Sequence, residues 1–123
     1  MGVSVSNLPL IILAEDDADQ REVLSEILEH EGYRVIGAKD ASELLAQLAR
    51  HPRAVLMDMH GVASIEVIEK LEKMPIRPAL ILISGDTSVK EFAARVSADA
   101  YFQKPYDLEP LLSSLKKAIE RRQ

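Results

Sequence analysis

Apolar residues gather in five short runs that recur about every twenty residues: Leu10 to Ala14, Tyr33 to Ala38, Ala54 to Met57, Ala79 to Ile83 and Ala100 to Phe102. The first, third and fourth are nearly continuous in Ile, Leu, Val and Met, the mark of strands covered on both faces. Between them the pattern changes to helical spacing. Val23, Leu24, Ile27 and Leu28 make one apolar face, with a capping-box-like start at Asp19 and Glu22 and a stop at Gly32. Asp40 with Glu43 opens a second helix that carries Leu44, Leu45 and Leu48, and Ser64 caps a third with Ile65, Ile68 and Leu71. Ser88 and Glu91 box a fourth with Phe92 and Val96. Asp107 caps a fifth, along which Leu108, Leu111, Leu112, Leu115 and Ile119 keep helical spacing. Pro110 falls in its first turn, where a missing N–H costs little.

The order is thus strand then helix, five times, which predicts an α/β fold: a parallel sheet between two helical layers, joined by right-handed crossovers. Residues 10–123 are read as one domain and residues 1–9 as an N-terminal extension. At 123 residues the chain has the usual size of a single domain, large enough for a core without disulfide or structural metal. The absence of cysteine excludes a thiolate zinc site and a Cys nucleophile. Net charge is −5, from 20 acidic and 15 basic residues, which argues against a nucleic-acid surface. Lys116, Lys117, Arg121 and Arg122 cluster near the C-terminus and read as complements to a helix dipole. No apolar run nears the ~20 residues that span a bilayer, and residues 1–7 lack the signs of a signal peptide. A cytoplasmic protein is the expectation, with no direct contact to membrane or nucleic acid.

Candidate chemistry collects at the carboxyl ends of the strands, where open parallel sheets place their ligands. Glu15, Asp16 and Asp17 follow the first strand, Asp58 the third, Ser84 and Gly85 the fourth, and Gln103, Lys104 and Pro105 the fifth. Taken singly, each has a plainer reading as a cap, turn or loop residue. Taken together, they bring carboxylates, a hydroxyl and an ammonium to one edge. Crowded carboxylates favour a hard divalent cation, which keeps waters and leaves room for a phosphoryl group. Asp58 is then a candidate nucleophile toward phosphorus, with Lys104 offsetting developing charge and Ser84 donating to an anionic oxygen.

From about Leu10 to Arg121 the chain resembles the receiver domain of two-component response regulators. The resemblance rests on "ILAEDDADQREVL", "AVLMDM", "ALILISGD" and, most specifically, "ADAYFQKPYDLEPLL". It implies a flavodoxin-like (βα)5 three-layer sandwich with strand order 2-1-3-4-5. By position, Glu15 and Asp16 resemble the metal-binding acidic pair, with Asp17 one residue beyond, and Asp58 the phosphorylated residue. His60 stands where the family offers Mg2+ (or Mn2+) a backbone carbonyl. Ser84 and Lys104 resemble the phosphoryl-binding pair, Tyr101 the aromatic switch that moves with Ser84, and Lys104-Pro105 a bond that is cis in the family. The implied partners are a sensor histidine kinase or phosphotransfer protein and a downstream protein or attached output domain. Oligomeric state is not readable.

One segment departs from the pattern. Met59-His60-Gly61-Val62-Ala63 is about two residues shorter than the family's loop and lacks its proline. This motivates an alternative, a pseudo-receiver that binds partners with weak or no phosphorylation. A haloacid-dehalogenase-type phosphohydrolase fits worse. Its nucleophile ends the first strand, and a second Asp stands where this chain has His60.

Overall fold

The computed structural model describes residues 7–59 and 65–122. Five strands, β1 (Leu10–Ala14), β2 (Arg34–Ala38), β3 (Ala54–Asp58), β4 (Ala79–Ser84) and β5 (Ala100–Gln103), form one parallel sheet in the order β2-β1-β3-β4-β5. The helices are α1 (Ala18–His30), α2 (Ala41–Gln47), α3 (Ile65–Lys73), α4 (Val89–Arg95) and α5 (Leu108–Arg121). A 3-10 turn, Leu48–Arg50, extends α2. The expected architecture is present in full, with strand bounds within a residue or two of those expected.

The sheet divides the core in two because successive strand side chains point to opposite faces. Ile12, Val55, Met57, Leu80 and Leu82 face α2, α3 and α4 through Leu44, Leu71 and Ala93. Ile11, Leu13, Leu56, Ile81 and Ile83 face α1 and α5 through Leu28, Leu111 and Leu115. Every residue of β3 and β4 is buried, which explains their unbroken apolar runs. The edge strand β5 alternates instead, with Ala100 and Phe102 packed inward and Tyr101 and Gln103 turned out.

The helix boundaries correct three details. Asp17, not Asp19, caps α1: its carboxylate accepts from the Gln20 N–H at 2.9 Å. Asp40 caps α2 as expected, accepting from Glu43 N–H at 2.8 Å. Ser88 and Asp107 occupy the cap positions of α4 and α5, but neither side chain makes the cap bond. Instead Asp86 Oδ1 accepts from the Ser88 N–H at 2.9 Å. Gly32, at φ +97, ends α1 in the left-handed conformation that glycine adopts at low cost. The expected cap at Ser64 lies outside the described residues.

The basic cluster also has a more specific role than complementing a dipole. Arg122 Nε donates to both Asp99 oxygens at 3.2 and 3.0 Å, and Arg121 lies 3.9 Å from the same carboxylate. Asp99 Oδ2 in turn accepts from the Leu80 N–H at 2.8 Å. This fastens the end of α5 to the start of β4 and β5, at the end of the sheet opposite the carboxylates.

Candidate functional site

Parallel pairing brings the carboxyl ends of β1, β3, β4 and β5 to one edge. Asp58 is the last residue of β3 and lies in register with Ile83 of β4, and the Met59 N–H donates to the Ile83 carbonyl at 2.9 Å. The Lys104 N–H donates to the Ser84 carbonyl at 2.8 Å, which carries the ammonium back toward Asp58. The following peptide, Lys104–Pro105, is cis, as the resemblance implied.

Three of the predicted residues meet directly. The Lys104 ammonium donates to Asp58 Oδ2, and to Glu15 Oε1 at 3.4 Å. Its third partner, Gln20 Oε1 at 2.9 Å, was not foreseen. Gln20 is one turn into α1 and carries no chemistry of its own, so only the fold singles it out. Asp58 and Glu15 are 4% and 6% exposed, so their charges are shielded poorly by water and depend on these partners.

Ser84 is buried beside them at the end of β4, and its Oγ accepts from the Asp86 N–H at 3.0 Å. The hydroxyl proton is thereby left for another acceptor. Asp58, Met59, Ser84, Gly85, Thr87 and Lys104 line a cleft toward the β4–α4 loop. A second cleft, with Asp58, Glu15, Gln20, Val23, Lys104 and Tyr106 in its wall, opens between α1 and the start of α5. Asp58 thus lines both clefts. Asp16 is exposed. Tyr101 is half-exposed in β5, opposite Leu82 rather than Ser84, and has no hydrogen bond to Ser84. His60 lies outside the described residues.

The electrostatics follow from the crowding. Burial pushes the Glu15 carboxyl up from 4.5 to about 7, helped by its hydrogen bond with Asp16 and by the charge of Asp58, and opposed by the Asp17 N–H. Burial alone would lower Lys104, but its hydrogen bond and charge pairing with Asp58, and then with Glu15, raise it above its ordinary value. The ammonium is firmly charged. Burial also raises Tyr106 above the ordinary phenol range, while nearby Lys104 opposes that rise.

Among the described residues no three ligating side chains close around one point, and the ammonium bridges two of the carboxylates. The donor chemistry nonetheless fits a hard divalent cation. Every donor is oxygen, and the smaller, carboxylate-borne part of the rise at Glu15, after burial, is what such a cation would relieve. Glu15, Asp16 and Asp58 are the residues that would hold it.

The comparisons with known proteins agree with this geometry. The model of the response regulator receiver domain family matches residues 11–116. A putative NtrX-like response regulator of Rickettsia bellii is 31% identical over 120 residues, which cover 89% of this chain and 24% of that protein. The transcriptional regulatory protein PdtaR of Mycobacterium tuberculosis is 30% identical over 116 residues, 90% of this chain and 57% of that protein. The chain therefore spans only a quarter to just over half of these relatives. A CheY-like receiver domain from Methanospirillum hungatei superposes with TM-score 0.84 at 29% identity, covering 94% of this chain and 97% of that one. The Thermotoga maritima response regulator TrrA, solved in complex with Mg2+-BeF, gives TM-score 0.77 at 25% identity, covering 90% and 99%. With its fold, its strand-end residues and these matches in agreement, the chain belongs to the response regulator receiver domain family.

Proposed function

We propose that this domain accepts a phosphoryl group on Asp58 from the phosphohistidine of a sensor kinase or phosphotransfer protein, and relays its arrival to a downstream protein or attached output domain in the cytoplasm. The observation that carries this reading is the Lys104 ammonium, held against Asp58 and Glu15 beside the buried Ser84. Such an arrangement sets a fixed cation beside the carboxylate nucleophile, ready for incoming negative charge.

In the transfer, an Asp58 oxygen attacks phosphorus while the P–N bond breaks and the imidazole keeps the electron pair. Lys104 exchanges part of its contact with Asp58 for a phosphoryl oxygen, and the Ser84 hydroxyl donates to another. Glu15, Asp16 and Asp58 would hold Mg2+, which when bound would add further neutralisation of the transferring group. Once Asp58 is an acyl phosphate, its hold on Lys104 is weakened. Ser84 is drawn toward the phosphoryl group, and Tyr101, exposed on β5, moves with it. This links the chemistry to the β4–α4 loop and the β5 edge.

Amide spectra recorded before and after adding a small phosphodonor with Mg2+ test the reading. Shifts at Ser84 through Ser88 and at Tyr101, absent in Asp58→Asn, are the expected result. Spectra that stay unchanged despite an active donor would favour the pseudo-receiver instead.

A further inference from the structure

The backbone of Glu15 is held from outside its own turn on both sides, at its N–H and at the carbonyl of the Glu15–Asp16 peptide. The Glu15 N–H donates to the Ala38 carbonyl of β2 at 2.9 Å, and the Glu15 carbonyl accepts from Arg21 Nη1 at 2.7 Å. To reach that carbonyl, the Arg21 side chain lies across Gly37 of β2. A Cβ placed on Gly37 would come 2.9 Å from Arg21 Cδ, closer than such atoms pack, and 3.3 Å from its Nε, a tight contact. Gly37 has an ordinary backbone conformation, so its missing side chain serves the arginine rather than a turn.

We infer that Arg21, seated on Gly37, is a positioning residue that fixes the Glu15–Asp16 peptide and so sets the affinity of the acidic pair for its divalent cation. The inference rests on the cation site of the proposed function, but it concerns residues that touch neither cation nor phosphoryl group. A guanidinium–carbonyl bond is charge-assisted and directional, so it fixes the peptide plane from which both carboxylates leave. Outer partners of this kind typically change metal affinity about 10- to 100-fold. Arg21 forms no ion pair among the described residues, and what shifts Glu15 is burial, a hydrogen bond with Asp16 and the charge of Asp58, not the guanidinium. Its action is therefore through the backbone.

The test is calorimetric Mg2+ binding to wild type, Arg21→Ala, Gly37→Ala and the double variant, with thermal midpoints and Asp17 amide exchange measured on each. The expected result is about tenfold weaker Mg2+ binding in both single variants, with faster Asp17 exchange. In the Arg21→Ala background, Gly37→Ala should weaken Mg2+ no further, since the stem it displaces is already gone. Arg21→Lys, which can return one donor, should recover part of the affinity. A role confined to general stability would lower the thermal midpoint and leave Mg2+ affinity in place. Wild-type affinity in both folded single variants would overturn the inference and leave the proposed function standing, as would additive losses in the double variant. A wild type that binds no Mg2+ would overturn both.

Discussion

At the scale of single residues, the site is a balance between buried carboxylates and one ammonium. Asp58 and Glu15 share Lys104, and Gln20 takes its remaining donor. Glu15 is the member that titrates in reach of physiological pH. Because its folded value of about 7 lies above its ordinary 4.5, its contribution to stability is fully present below pH 4.5 and is lost as pH rises through about 7. Metal-free Glu15→Gln should therefore gain on wild type across that window, which urea midpoints on both proteins at its two ends would register. Identical pH dependence in the two would contradict the assignment. Asp58, Ser84, Lys104 and the Glu15–Asp16 pair were legible in the sequence because each ends a strand or directly follows one. Gln20 and Arg21 were not. Their roles depend on Lys104 and Gly37, 84 and 16 positions away, and no local pattern encodes such contacts.

At the scale of elements, alternating strand and helix patterns were readable because β3 and β4 are buried on both faces and α5 keeps a strict apolar stripe. Caps were less so. Asp17 and Asp19 are both short, acidic and near the start of α1, and only the turn geometry decides between them. Asp17→Ala should cost about 1 kcal/mol, whereas Asp19→Ala should change stability by less than about 0.5 kcal/mol, as denaturant unfolding of the two would reveal. The clasp of Asp99 on Arg122 and the Leu80 N–H is likewise invisible to periodicity, since it joins the end of the last helix to β4 and the edge strand β5. Removing its centre with Asp99→Ala leaves a backbone N–H and an arginine without their acceptor. The expected loss is about 2 kcal/mol, larger than for Arg122→Ala, because only the former strips the Leu80 N–H as well.

At the scale of the whole molecule, strand order is what turns scattered residues into a site. With β1 and β3 adjacent and β4 and β5 following, the ends that carry Glu15, Asp58, Ser84 and Lys104 are neighbours, and α1 closes over them with Gln20 and Arg21. The order could be inferred through the family resemblance; periodicity alone gives the elements but not their neighbours. Most of the segment after Asp58 that reads as shortened in the sequence, including His60, lies outside the described residues. Whether the assembled site accepts a phosphoryl group is the central claim, and intact mass tests it most directly. After incubation with a small phosphodonor and Mg2+, wild type should gain the mass of one phosphoryl group, labile to hydroxylamine, while Asp58→Asn gains none. An unmodified wild type, beside a control receiver that the same donor phosphorylates, would contradict the account, as would equal modification of Asp58→Asn.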